Sequence, residues 1–341
     1  MNRIDCLKLG SEIHGKVKLQ VLDFIENNKS ASIFDLRNYI HCELLNQIDS
    51  KTTNNDQSGL AFPIGISGDC VVAHYTPIKM SILDKTHLPY YLNPDSRIHM
   101  FDILKIDYGI QINGNIIDKA FSININSGED ENKLVEASRC AVEKVKKEIG
   151  VDSRLNELAS SAREIIQSYE YKGEQLKIVE NVYSHNILPW KIHGDKFIKP
   201  DFFKYDEDLK VDAGEQYAIE FYTSNGVGKG ELVEAPNTYS HYRFKDIGLP
   251  LFPDKEMNEF VAFSRENLFQ LPFCPNIIDS FNLKLNKKKP SHKKIISLCQ
   301  QLYNNNIVES YPPIIECNTN SLVAQIEDNV IITDAESKIL L

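Results

Sequence analysis

Leu104-Lys105-Ile106-Asp107-Tyr108-Gly109-Ile110-Gln111-Ile112-Asn113-Gly114-Asn115-Ile116-Ile117-Asp118-Lys119-Ala120-Phe121 reads as β-rich runs folded around an Asn-Gly turn. Asn-Gly favours the positive φ values that a two-residue hairpin loop requires. Around such a turn Gly109 falls opposite Asp118, which makes Asp107 the same-face diagonal neighbour of Asp118, within about 8 Å. Leu104, Ile106, Ile117 and Phe121 are the apolar neighbours expected of a buried strand. Two carboxylates thus converge where like charges are costly, and a cation is called for. A pair of solvated strand acids satisfies the same spacing.

Outward from the hairpin, the pattern alternates between helix and sheet. Ile13, Val17, Val21, Phe24 and Ile25 mark one helix from Glu12 to Asn28. Ser32 caps a second, with Asp35 three residues on and Leu36, Ile40, Leu44 and Ile48 along one face. The polar stretch Asp49 to Gly59 predicts a mobile surface loop. Leu104 to Tyr108, Gln111 to Ile117 and Phe121 to Ile125 read as strands, and Asn132 to Ile149 and Asp152 to Tyr169 as helices covering them. Short strands follow Gln175 as far as Thr223. Helical patterns return at Lys255 to Phe269 and Ser291 to Tyr303, before a closing hairpin pattern at Leu322 to Thr333. This order implies an α+β fold, its sheet covered mainly on one side.

Composition removes several classes. Of 341 residues, 48 are acidic and 38 basic, and a net charge of -10 argues against nucleic-acid wrapping, which needs cations to neutralise phosphates. The basic run from Lys287 to Lys294 reads as an exposed charged loop. No apolar run is long enough to cross a bilayer, and Met1 to Cys6 is too polar to start a signal peptide, so a cytoplasmic protein with no membrane partner is expected. Seven cysteines without a C-x-x-C pair predict reduced, mostly buried thiols.

Further acids and imidazoles lie at a distance in the chain. His185 and His193 are eight apart, Glu220 stands alone in the apolar strand Gln216 to Tyr222, and Glu327 repeats that theme in Val323-Ala324-Gln325-Ile326-Glu327. Each has an ordinary reading, as a hydrogen-bonded structural histidine or a solvent-facing acid. Together, two Asp, two Glu and one His offer mainly oxygen ligands, which suits a pair of divalent first-row metals. Four carboxylates also balance two such ions, with room for a bridging hydroxide between metals about 3.5 to 4 Å apart.

Taken in order, Leu60-Ala61-Phe62-Pro63, Ala73-His74-Tyr75-Thr76-Pro77, Lys105-Ile106-Asp107-Tyr108-Gly109, Ile117-Asp118-Lys119-Ala120-Phe121, Ile192-His193-Gly194, Tyr217-Ala218-Ile219-Glu220 and Ala324-Gln325-Ile326-Glu327 closely resemble the type II methionine aminopeptidases. The likeness spans nearly the whole chain. It implies a single catalytic domain over residues 1–341 with the pita-bread (creatinase/aminopeptidase) fold, a curved antiparallel sheet covered by helices, and a helical, winged-helix-like insertion at 242–310. Two divalent ions (Co, Mn, Fe or Zn) would be held by Asp107, Asp118, His185, Glu220 and Glu327. Catalysis would involve His74, His193 and Glu220, and Phe62, His74, Ile192, His193, His241 and Tyr311 would contact the substrate. The implied reaction removes amino-terminal methionine from peptides and nascent chains with a metal-activated hydroxide, favouring a small second residue. A monomer with transient proximity to the ribosome would follow. Alternatives on the same fold are a non-catalytic binding protein and an Xaa-Pro-cleaving peptidase. Two departures bear on the site: Asn186-Ile187-Leu188-Pro189-Trp190 puts bulk after His185 where the family has small residues, and Pro272 stands where it has a small pocket residue.

Overall fold

The computed structural model describes residues 1–53, 56–78, 88–126, 128–200, 209–234, 238–246, 252, 255–268, 270–275, 292–334 and 338–341. Its principal elements are α1 (Arg3–Asn27), α2 (Ile33–Lys51), β1 (Ser58–Leu60), β2 (Gly65–Gly68), β3 (Val71–Ala73), β4 (Ile103–Ile112) and β5 (Asn115–Asn124). There follow α3 (Glu129–Glu148), α4 (Leu155–Gln167), β6 (Ser184–Ile187), β7 (Gln216–Ser224), β8 (His241–Phe244), α5 (Lys255–Leu268), α6 (His292–Asn304), β9 (Val308–Tyr311) and β10 (Val323–Ile332). Lys287 to Ser291 of the basic run lies outside the described residues.

Two main sheets carry the fold, and their ladders are antiparallel. The first orders β1, β4 and β2, with β5 on β4. The second runs from 197–198 through β6, β7 and β10 to 338–340, with 177–178 also on β7. Each sheet has its own pair of helices and its own apolar core. Ile13, Val17 and Val21 of α1 and Leu36, Ile40 and Leu44 of α2 pack on Ile66, Leu104, Ile106 and Ile110. Leu134, Ala141 and Val145 of α3 and Leu158, Ala162 and Ile166 of α4 pack on Tyr217, Ile219, Phe221 and Val330. The helices α5 and α6 share a third core with the β8–β9 hairpin, through Phe260, Val261, Leu298, Leu302, Tyr242 and Val308.

Local chemistry explains most boundaries. Asn113 (φ 52°) and Gly114 (φ 78°) form the expected turn, and Gly109 pairs with Asp118. Ser32 and Asp35 complete a reciprocal capping box at α2. α1 starts earlier than its apolar stripe suggests, because the Asn2 side chain accepts from Asp5 N and Cys6, Leu7 and Gly10 extend the buried face. α3 starts at Glu129, where Glu129, Asp130 and Glu131 favour the positive end of the helix dipole. Leu322 to Thr333 is a correction: it holds one continuous strand, paired along its length with β7 and at its end with 338–340. The polar triplet Glu327-Asp328-Asn329 stays in register with Glu220, Ile219 and Ala218, so no turn interrupts it. All seven cysteines are free, with Cys6, Cys70, Cys274 and Cys299 buried and Cys42 exposed. No described helix is long and apolar enough to cross a membrane.

Candidate metal centre

Five strands present five ligand-type side chains to one place by a chain of direct and diagonal pairings. Asp118 faces Gly109 across the hairpin, which puts Asp107 on its diagonal. Glu220 of β7 lies directly opposite Glu327 of β10. His185 of β6 is opposite Ala218, hence diagonal to Glu220. His185 Nε2 is 3.6 Å from Asp118 Oδ2 and 3.8 Å from Glu220 Oε1. Ligand atoms of Asp118, His185 and Glu327 all lie within 4.8 Å of one another. Gln325 Nε2 bridges the two glutamates, donating to Glu220 Oε2 at 3.4 Å and Glu327 Oε2 at 3.5 Å.

The electrostatics of this cluster are unfavourable without a counter-charge. Burial pushes the Asp107 carboxyl up to about 7. Burial and the neighbouring Asp107 push Glu220 to about 8. Asp118 and Glu327 are raised well above the usual carboxylate range, by burial and then by the other acids. Asp107 Oδ1 is buried with no hydrogen-bond partner. An orphaned carboxylate oxygen beside three further acids and an imidazole is a donor set that divalent cations fit. Burial lowers His185 to about 4, leaving its ring neutral, as ligation requires.

All eleven residues singled out from the sequence line one cavity with an empty volume of about 680 Å³. Phe62, His74, Asp107, Asp118, His185, Ile192, His193, Glu220, His241, Tyr311 and Glu327 are all on its wall, as is Pro272. The His193 ring meets His185 edge-on at 4.4 Å, and the His74 ring lies 5.9 Å from His241 and 5.6 Å from Tyr311. His74 holds φ 62°, a left-handed conformation that costs a branched-ring residue strain and here turns it into the cavity. Burial lowers His74 to about 4 and His193 well below the ordinary histidine value. The bulk that follows His185 lies off the cavity. None of Asn186 to Trp190 is on the cavity wall; Leu188 is exposed, and Trp190 packs on the hairpin turn, donating from its backbone N to Gly114 O at 2.9 Å.

Sequence reasoning missed Gly65, Ser67, Lys105, Tyr222 and Gln325 on the same wall. A period of two was the available signal. Lys105 precedes Asp107 by two residues, Tyr222 follows Glu220 by two, and Gln325 precedes Glu327 by two, so each shares a strand face with an acid already identified. Gly65 pairs with Asp107, and a Cβ there would sit 3.3 Å from the Asp107 Cβ.

Comparison with known proteins agrees with this geometry. The chain matches metallopeptidase family M24 over residues 5–334. It is 31% identical over 339 residues to methionine aminopeptidase 2 of Saccharomyces cerevisiae, covering 96% of this chain and 72% of that protein. A thermophilic Arx1 structure matches with a TM-score of 0.79 at 15% identity, covering 99% of this chain and 90% of that one. A methionine aminopeptidase from Thermotoga maritima matches at 0.58 and 14% identity, covering 99% and 95%. At such identities the two structures speak for the fold alone. The fold is the pita-bread fold expected from the motifs, and the chain belongs to metallopeptidase family M24.

Proposed function

We propose that the protein is a methionyl aminopeptidase that holds two divalent ions through Asp107, Asp118, His185, Glu220 and Glu327. The observation that carries this reading is the convergence of four buried or half-buried carboxylates and one neutral imidazole on a single cavity. When bound, the ions supply a water ionised at neutral pH and polarise the scissile carbonyl. Phe62, Ile192, His241, Pro272 and Tyr311 enclose the methionine side chain. Neutral His193 and His74 each present one N–H donor, and these stabilise charge that develops on the carbonyl oxygen. Glu220 or an adjacent group takes the proton that the attacking water gives up and passes it to the leaving amine. Residues 242–310 are an insertion that contributes Pro272 to one wall of the methionine pocket, beside His241 at its boundary. The clients are amino termini of peptides and nascent chains, with a small second residue preferred.

Incubation of metal-loaded protein with Met-Ala-Ser, Met-Leu-Ser and an Xaa-Pro peptide tests the reading. Methionine is released fastest from Met-Ala-Ser. No release with Mn(II), Co(II) or Fe(II) sinks the enzymatic reading, and preferred cleavage of the Xaa-Pro peptide replaces it. A protein that binds near-zero metal is a binding module of the same fold.

A further inference from the structure

The two main sheets come together where β5 runs beside β10, and there, among the described residues, no main-chain ladder joins them. Side chains take its place. Asn329 Nδ2 donates to Asp118 O at 2.8 Å, and Asn329 Oδ1 accepts from Asp118 N at 2.9 Å. Ser122 Oγ donates to Gln325 O and accepts from Gln325 N, both at 2.7 Å. Lys119 Nζ lies 2.9 Å from Asp328 Oδ1. These three pairs obey one antiparallel register, in which each step forward along β5 is one step back along β10. Glu327 then faces Ala120 and is diagonal to Asp118. One carboxamide and one hydroxyl thus reproduce the donor–acceptor pattern of a strand pair, each filling the place of a peptide group on the opposite strand.

This substitution has a physical purpose at this position. A main-chain ladder draws strands to about 4.8 Å and would press the acids of β5 and β10 together. A side-chain bridge keeps the register while leaving a wider seam. Lys105 Nζ adds a further tie from β4 to β10, donating to Val323 O at 2.7 Å. Within the metal reading on which it rests, we propose that Asn329 and Ser122 are positioning residues that set the width and register of the seam. They hold Asp118 and Glu327 at the separation a divalent cation requires before any ion arrives.

Calorimetric titration of the full-length, metal-free protein with Mn(II) and Co(II) tests this in Asn329→Ala, in the milder Ser122→Ala, and in the double variant. Each single change is expected to weaken metal affinity by about 10- to 100-fold, as loss of a group that orients a ligand does. The visible absorption of the Co(II)-loaded variants shifts, a change that loss of stability alone does not produce, and the metal-free Ser122→Ala variant melts closer to wild type than Asn329→Ala, which leaves both main-chain groups of Asp118 unpaired. If the variants bind both ions as tightly as wild type and with unchanged Co(II) spectra, the seam has no such role. A loss of affinity with unchanged Co(II) spectra and a matching fall in metal-free melting also overturns it, since the bridges would then be merely structural. Wild-type protein that binds no ion removes the metal reading itself.

Discussion

A carboxyl group enclosed with three others keeps its proton at a pH where an exposed one has lost it, and that difference is a stability statement. Asp107 and Glu220 titrate at about 7 and about 8 in the folded chain, against roughly 4 in an unfolded one. The folded state therefore binds more protons across this interval, and their contribution to stability is present at low pH and lost as pH rises through 7 and 8. His74 and His185, lowered to about 4, act in the opposite sense below pH 6.5, where stability falls as pH falls. Between pH 6.5 and 9 these carboxylates titrate in the falling direction and outnumber Lys105, which burial pushes down to about 7 and which titrates in the rising one. Melting of metal-free protein is expected to drop across that window, and Mn(II) should abolish the drop by favouring the ionised forms. A melting temperature that is flat or rises without metal contradicts the repulsion. At this scale spacing alone was legible only where neighbours are local, and the distant ligands came from the order of the motifs. Asp107 and Asp118 meet through one turn, whereas Asp118 and Glu327 meet only because Asn329 and Ser122 fix a seam that no spacing reveals.

The turn that makes the local pair legible is also a point of vulnerability. Gly114 holds φ 78°, and a Cβ added there would lie 2.2 Å from Trp190 Nε1. Gly114→Ala is expected to destabilise the protein by about 1–3 kcal/mol, the usual penalty for a left-handed non-glycine residue. Trp190 is the sole tryptophan, so its emission should shift toward that of exposed indole in the same variant. Unchanged emission and an unchanged urea midpoint would show that the turn tolerates a side chain. Elements with such chemistry were readable: the Asn-Gly turn and the Ser32 cap fall where their residues put them. Elements set by partners were not. β10 carries Glu327-Asp328-Asn329 through its middle because β7 pairs with every one of them, and a polar triplet alone does not announce a strand.

At the scale of the molecule, the two helix-backed sheets are two cores with a charged seam between them, and Ile326 is a residue that packs against both. Asp107 and Asp118 belong to one side, and His185, Glu220 and Glu327 to the other. Cations held there, as proposed, would join the halves, and their removal at high pH would leave like charges facing across side-chain bridges. Trp190 monitors the same boundary, because it follows β6 of the second sheet and bonds to Gly114 of the first. In metal-free protein at pH 8, the fluorescence transition in urea is expected to precede the loss of far-ultraviolet circular dichroism, since the halves part before each core melts. With saturating Mn(II) the two transitions should coincide, as cooperative unfolding demands. Mass action also moves the midpoint upward, by about 2.7 kcal/mol at a hundredfold excess over the dissociation constant. Coincident transitions with and without metal would mean that the apolar contacts across the seam suffice to couple the halves, and the ions would then stabilise the protein without being its hinge pin.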